Sequence, residues 1–192
     1  MSFGSVFTAI IISLTIFFII GSVTLTIANH WVTIDKTREE CLESLLERSL
    51  TSIKINSVQP DVVNNTVATI YLEVLNNGKT SICITDFSKM DVILEYTSNL
   101  TDEKRILWVP YKQSGQTDGW MVESVYTKFN TSEVLNPINI TIPSGQWDPD
   151  EILRIKIQLS STNLIRAQSG DSILILVSTP NAVKATYLYV FS

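Results

Sequence analysis

The sequence predicts a mainly β protein in which an N-terminal membrane-spanning α-helix precedes one β-sandwich domain. Three observations support this prediction. No Asp, Glu, Lys or Arg occurs in residues 1–34, short alternating or β-branched runs recur from Thr51 onward, and turn signals instead of helical patterns separate these runs. The length of 192 residues leaves room for one helix and one domain of about 150 residues, a common single-domain size.

Residues 1–34 are predicted to form the membrane-spanning helix. The apolar run from Phe3 to Ala28 exceeds the roughly 20 residues that cross a hydrocarbon core. The side chains predicted to anchor it are Phe3, Ile10, Ile11, Leu14, Phe17, Phe18 and Ile20. A cleaved secretory signal is the alternative, but no basic residue precedes the run, which is also longer than a typical signal core. We therefore predict a retained, single-pass anchor.

The helix is predicted to continue beyond the membrane through residues 35–50. In this segment Leu42, Leu45, Leu46 and Leu50 recur at spacings of three and four, whereas acidic and basic residues occupy the other face. Such a leucine stripe is typical of a helix that packs against an apolar partner. Two partners fit the pattern: a neighbouring helix in an oligomer, or the chain's own β domain.

Residues 51–192 are predicted to form an extracytoplasmic β domain. The runs with strand periodicity are residues 52–58, 66–75, 80–85, 91–96, 105–109, 120–129, 138–142, 152–159, 172–178 and 183–191. Turn signals such as Asn76-Asn77-Gly78 and Asp118-Gly119 separate them. Because no helical pattern intervenes, the runs favour a β-sandwich, with a closed barrel as the alternative.

The residues that could carry chemistry indicate a binding protein and not an enzyme. The formal net charge is −5 and no run of Lys or Arg occurs, so a nucleic-acid partner is not expected. The single histidine, His30, ends the apolar run, where a catalytic triad is implausible. Cys41 and Cys83 could form a disulfide outside the cell or remain buried thiols. We predict no catalytic residue, cofactor, metal or small-molecule substrate.

Four Asn-x-Ser/Thr sequons are candidate glycosylation sites: Asn64, Asn99, Asn130 and Asn139. They lie in predicted turns or at strand ends, where a glycan has room on the surface. Basic residues just after the helix nominally favour a cytoplasmic domain, but acidic residues are interleaved with them and long domains translocate largely regardless of flanking charge. The sequons therefore favour an external domain.

Aromatic residues and the last strand provide candidate binding surface. The aromatic residues near predicted strand ends or loops are Trp108, Tyr111, Trp120, Tyr126 and Trp147. Such side chains either anchor protein interfaces or close the end of a sandwich core. The alternating segment from Lys184 to Phe191 is either an edge strand open to pairing or a central strand.

Four segments resemble the archaellum (archaeal flagellum) accessory proteins FlaF and FlaG, a family related to the archaellins. They are the N-terminal SFGSVFTAIIISLTIFFIIGSVTLTIANHW, the opening TSIKI of the β domain, YLEVLNNGKTSICITDFSKMDVILEY, and the late segment IPSGQWDPDEILRIKIQLS. Together they span nearly the whole chain. The resemblance implies a pilin-like helix followed by an immunoglobulin-like β-sandwich.

The same resemblance implies a stator-like role in the motility machinery. A protein of this kind is anchored in the cell membrane, faces the pseudoperiplasmic space, associates with itself or with related archaellum subunits, and binds the surface-layer protein. The alternative is a filament subunit whose N-terminal helices bundle in the filament core. Archaellins carry a basic leader, and nothing basic precedes Phe3, which argues against a filament subunit in precursor form. A membrane-tethered carbohydrate-binding or hydrolytic domain is a third hypothesis, and hydrolysis would require paired carboxylates.

Overall fold

The computed structural model describes residues 3–112, 117–129, 138 and 145–192. Within these residues the chain divides into two compact units, Met1–Leu46 and Glu47–Ser192, so the last turn of the long helix belongs with the β domain. The elements in chain order are α1 (Phe3–Leu50), β1 (Ile53–Val63), β2 (Thr66–Asn76), β3 (Ile82–Cys83), a 3-10 helix (Ile84–Lys89), β4 (Asp91–Thr97), β5 (Lys104–Val109), β6 (Gly119–Thr127), β7 (Gln146–Trp147), β8 (Glu151–Gln158), β9 (Ile165–Arg166), β10 (Ser172–Ser178) and β11 (Lys184–Val190).

The helix α1 is continuous, and all of its described side chains are exposed. Its length and composition are sufficient to cross a membrane. Threonine hydroxyls along it donate to the carbonyl four residues earlier, as Thr15 does to Ile11 and Thr24 to Ile20, both at 2.8 Å. These bonds satisfy hydroxyls that would be costly to leave unpaired in hydrocarbon. Because the helix is uninterrupted, the boundary between residues 1–34 and 35–50 stays a prediction.

The β domain consists of two large antiparallel sheets. One sheet has the order β1-β2-β8-β6, with β9 paired to the far end of β2, and the other has the order β11-β10-β4-β5. These orders match the two sheets of immunoglobulin-type sandwiches, with one more strand on the second sheet. The predicted mainly β fold, a helix followed by a sandwich, is therefore confirmed, and the two separate sheets exclude the barrel alternative.

One hydrophobic core lies between the two sheets. Inward-facing side chains such as Leu72 and Ile155 of the first sheet, and Leu94 and Ile175 of the second, are fully buried. Burying a side chain of this size stabilises the fold by about 1.5–3 kcal/mol. All residues of this core lie in the unit Glu47–Ser192, so the β domain has a complete core of its own.

The predicted strand over residues 80–85 is wrong in part. Only Ile82 and Cys83 pair as a strand, and a 3-10 helix follows at Ile84–Lys89. Its buried residues, Ile84 and Phe87, are three positions apart, which is the period that brings side chains to one face of a 3-10 helix. The two-residue strands β7 and β9 were not predicted, because pairs this short leave no periodic signal. The predicted strand at 138–142 lies outside the described residues except for residue 138.

A partly buried polar network holds the last turn of α1 within the β domain. The Lys79 amide donates to the Leu50 carbonyl at 2.7 Å, which satisfies one of the carbonyls that a helix end leaves open. The Thr51 hydroxyl bonds to the Glu47 carbonyl at 2.9 Å and lies 2.6 Å from the hydroxyl of Thr80. The side-chain amide of Asn181 also donates to the Thr51 hydroxyl, at 2.6 Å. The turn at residues 76–79 and the loop before β11 therefore both bind this helix end.

Candidate interaction surfaces

The outward face of the β11-β10-β4-β5 sheet carries seven apolar side chains, five of them exposed and two, Leu176 and Ile93, half-buried, alongside charged residues such as Glu95 and Lys104. Its apolar side chains are Leu188 and Val190 of β11, Leu174 and Leu176 of β10, Ile93 of β4, and Ile106 and Trp108 of β5. The register brings most of them side by side, because Leu188 pairs with Leu174, and Leu176 pairs with Ile93, which in turn pairs with Trp108. Ile106 pairs instead with Glu95. We call this set the apolar face.

Four residues of the apolar face are more than half exposed, among them the two on β5. Ile106 is 75% exposed and Trp108 is 57% exposed. The Trp108 indole nitrogen donates to the Asp91 carboxylate at 2.9 Å, so the ring is held on the sheet surface. A large aromatic side chain fixed at the surface among aliphatic neighbours has the composition of a protein interface core.

The outward face of the other sheet is polar. Arg154 forms an ion pair with Glu123 at 2.9 Å, and Glu73 accepts hydrogen bonds from the hydroxyls of Tyr126 at 2.6 Å and Ser57 at 2.8 Å. Burial, followed by the bond to Glu73, raises the pKa of Tyr126, so this hydroxyl keeps its proton. This face is therefore typical of a water-facing sheet, whereas the other sheet exposes more large apolar side chains.

The predicted aromatic candidates separate into core residues and one surface anchor. Trp120 and Trp147 are fully buried and Tyr126 is nearly so, whereas Tyr111 is half-buried against the core. The Trp147 indole nitrogen donates to the Glu151 carbonyl at 2.9 Å, which is how a buried tryptophan is usually satisfied. Of the five, only Trp108 has the exposure that a binding anchor requires.

The segment predicted as either an edge or a central strand forms an edge. Among the strands that the structure describes, β11 pairs only with β10 and ends the second sheet. Sequence analysis missed Ile106 and Leu174 as surface residues, although one signal was available. β10 reads Ile173-Leu174-Ile175-Leu176-Val177, a continuous apolar run of the kind found in strands covered on both faces.

The other predicted site residues occupy exposed positions or lie outside the described residues. The anchor residues Ile10, Ile11, Leu14, Phe17, Phe18 and Ile20 are at least half exposed on α1, and the side chain of Phe3 is outside the described part. The leucine stripe Leu42, Leu45, Leu46 and Leu50 is exposed as well. The contact of the anchor residues with a membrane and the packing of the leucine stripe against a partner both stay predictions.

Two of the four sequons can be located. Asn64 is exposed in the β1–β2 turn with a φ of 51°, and Asn99 is exposed in the β4–β5 loop. Asn64 lies at the end of the sandwich opposite the helix junction, because β1 leads from the junction towards it. Asn99 lies at the same end, because its amide donates to the Leu164 carbonyl beside β9, which pairs with the start of β2. Asn130 and Asn139 lie outside the described residues. Use of the sequons stays a prediction.

The cysteines are free thiols in this structure. Cys41 is exposed on α1 and Cys83 is half-buried in β3. The disulfide between them stays a prediction. In the described part of the chain, no group of three His, Cys, Asp or Glu side chains is arranged to hold a metal ion.

One ion-pair cluster organises the loops near the two sequons. Arg166 donates from Nε and Nη2 to the two carboxylate oxygens of Asp171, at 2.9 and 2.8 Å, and from Nη1 to Asp102 at 3.0 Å. This two-pronged bond lowers the pKa of the Asp171 carboxyl. Three of the five N–H groups of the Arg166 guanidinium are used in these internal bonds, so the cluster holds the loops together.

Comparisons with known proteins agree on the fold. No protein-family model matches the chain, and no curated protein matches its sequence. The archaeal flagellum of Methanospirillum hungatei strain JF1 matches with a TM-score of 0.59 at 9% identity, over 97% of this chain and 93% of that one. The flagellin FlaB1 from Methanocaldococcus jannaschii matches with a TM-score of 0.52 at 8% identity, over 73% of this chain and 90% of that one.

A further match is the archaellum periplasmic stator protein FlaG from Sulfolobus acidocaldarius. Its TM-score is 0.48 at 19% identity, over 73% of this chain and all of that one. The similarity to the Methanospirillum filament protein is the most extensive of the three, because it includes the N-terminal helix as well as the sandwich. The chain thus has the helix-plus-sandwich fold of archaeal flagellins, and the resemblance to archaellum proteins noted in its sequence is confirmed at the level of fold.

Proposed function

We propose that this chain is a non-enzymatic, membrane-anchored structural component of the archaellum machinery. The observation that supports this most directly is the similarity to an archaeal flagellum protein across both the helix and the sandwich. The exposed apolar helix supports membrane anchoring. Large apolar side chains such as Phe17 and Phe18 occur all around it, and a helix of this kind is unfavourable in water. The apolar face supports assembly through the sandwich.

Within the machinery, we favour a stator-like role. The sandwich then faces the extracytoplasmic space, where it associates with archaellum subunits and binds the surface-layer protein. The sequence resemblance to FlaF and FlaG supports this role, and the sequons support the external location. A filament subunit is the second candidate, and the similarity over 97% of the chain to the Methanospirillum filament protein favours it.

The location of the full-length protein in its own cells tests both candidates. Filaments are sheared from the cells, and the protein is quantified in the filament fraction and in the membrane fraction; gold-labelled antibody then locates it by electron microscopy. Retention in the membrane with labelling at the filament base supports the stator-like role. Labelling along the filament favours the filament subunit. A protein found in neither place would contradict an archaellum function.

Binding to the surface layer requires a separate measurement. The β domain Glu47–Ser192 contains its own core, so it can be purified and sedimented with isolated surface-layer protein. Co-sedimentation is expected for the stator-like role. A domain that stays in the supernatant at every ratio would remove the surface layer from the list of partners.

A further inference from the structure

The turn that holds the end of α1 contains Asn77-Gly78, the only Asn-Gly pair in the chain. An asparagine before glycine is open to chemical change, because glycine has no side chain to hinder its own backbone nitrogen. When that nitrogen attacks the side-chain amide carbon of the asparagine, a C–N bond forms, ammonia leaves and a succinimide ring closes. Water then opens the ring to aspartate or isoaspartate, so the asparagine is lost without an enzyme.

The nitrogen that would attack, the backbone nitrogen of Gly78, is already used in a hydrogen bond. It donates to Oδ1 of Asn76 at 3.1 Å. Asn76 is fully buried, and its Nδ2 donates to the carbonyls of Thr80 at 2.8 Å and Trp147 at 3.3 Å, which fix the position of Oδ1. Attack requires the Gly78 nitrogen to lose its proton and approach Asn77, whereas this bond keeps the proton in place.

The backbone on either side of this nitrogen is bonded to the helix junction. The Asn77 N–H donates to the Ser52 carbonyl at 3.0 Å, and the Lys79 N–H donates to the Leu50 carbonyl at 2.7 Å. Ring closure requires rotation of the backbone between these two bonds, so both oppose it. The Asn77 side chain itself is exposed to water. Its protection therefore comes from the fixed backbone of the turn and not from burial of the amide.

We propose that Asn77 is a deamidation site controlled by the helix junction: the closed turn protects it, and opening of the turn exposes it to conversion into aspartate or isoaspartate. One hydrogen bond of ordinary strength changes a rate about fivefold. The bonds of Asn77, Gly78 and Lys79 must open together, so the closed turn slows the reaction roughly a hundredfold relative to the unfolded chain. This inference goes beyond the proposed function and does not depend on it.

The product of the reaction does not fit the closed turn. Isoaspartate adds one atom to the backbone between the N–H groups of residue 77 and Lys79. These two groups bond to Ser52 and Leu50, so the change in their spacing prevents both bonds from forming together. Deamidation therefore weakens the attachment of the helix end permanently, and it records that the junction has opened.

The test follows the reaction in full-length protein held in detergent and in mildly alkaline buffer. Samples taken over time are digested with trypsin, and mass spectrometry with fragmentation measures the conversion of Asn77 in the peptide of residues 55–79. Isoaspartyl methyltransferase with labelled methyl donor detects isoaspartate independently. Folded protein is expected to react roughly a hundredfold more slowly than the same protein in urea. Folded protein that reacts as fast as unfolded protein would overturn the proposal.

Two variants of Asn76 separate the protecting bond from the rest of the network. Asn76→Ala removes the acceptor of the Gly78 N–H and should speed the reaction of folded protein at least about fivefold. Asn76→Asp loses both donated bonds as well but keeps an acceptor oxygen, so it should react more slowly than Asn76→Ala. Reaction in Asn76→Asp as fast as in Asn76→Ala would contradict the protecting role of this bond.

Two matched controls test local against global opening. Leu94→Ala lowers the stability of the core in the other sheet and leaves the turn unchanged, so it should react like wild type. Acceleration equal to that of Asn76→Ala would assign the protection to overall stability and overturn control by the junction. Asn77→Ala should show no conversion at residue 77. If Asn76→Ala does not fold, hydrogen exchange of the wild type decides: a Gly78 N–H that exchanges as fast as in the unfolded chain would overturn the proposal.

Discussion

Replacing Gly78 with alanine is expected to weaken the attachment of the helix end to the β domain. A Cβ atom at this position would lie 2.5 Å from the Ser52 nitrogen and 2.7 Å from the Leu50 oxygen. Both are backbone atoms, so neither can move without shifting the chain. Crowding of this kind costs about 1–3 kcal/mol. If the shift also breaks the bond from the Lys79 amide to Leu50, a further loss of about 1 kcal/mol follows.

The free energy of unfolding should therefore fall by roughly 2–4 kcal/mol, and the melting temperature of the β domain Glu47–Ser192 by roughly 5–15 °C. Circular dichroism during heating measures this shift. The control is Asn77→Ala. The Asn77 side chain is exposed, and the alanine keeps the hydrogen bond from the backbone N–H of residue 77 to the Ser52 carbonyl. A Gly78→Ala domain that melts within about 2 °C of wild type would refute the steric argument.

Three further outcomes are expected. Leu72→Ala removes a fully buried side chain of β2 and should lower the free energy of unfolding in urea by about 2–5 kcal/mol; a loss below 1 kcal/mol would contradict its core position. Because hydrogen bonds from Arg166 lower the pKa of Asp171, its carboxylate stabilises the fold above about pH 4, and this contribution is lost as the pH falls. Asp171→Asn should therefore reduce stability at pH 7 and flatten its decline in acid, and an unchanged pH profile would contradict the role of the ion pair. If the domain is external and its sequons are used, Asn64→Gln and Asn99→Gln should each increase electrophoretic mobility in the native cells, whereas mobility equal to wild type would indicate unused sites.

The strands of the sandwich could be predicted because their sequences carry a local period. β4 and β8 alternate between buried and outward residues along most of their length, and turn signals mark where most of the strands end. The 3-10 helix at Ile84–Lys89 has no comparable signal, since six residues make only two turns. Its position depends on the burial of Phe87 in the core, which is a tertiary contact and not a local preference.

The apolar face could be predicted only in part. Trp108 and the edge strand β11 were identified as candidates from residue type and position. Ile106 and Leu174 were not, because an isoleucine or leucine in a strand is normally buried, and only the register between strands shows which of them face outward. Which side chains share one face depends on how the strands pair in the sheet, and the sequence shows each strand only by itself.

The contrast between two central strands argues that the apolar face is covered in the working protein. β8 alternates as a strand with one wet face should: Leu153, Ile155 and Ile157 are buried, and the residues between them are polar. β10 is equally central in its sheet, yet it places Leu174 and Leu176 on the outer side. In a sheet whose outer side always faced water, polar residues would serve equally well at these two positions, and exposed apolar side chains favour aggregation. Since the same chain achieves alternation in β8, the apolar outer side of β10 is most simply explained by a partner surface that covers it.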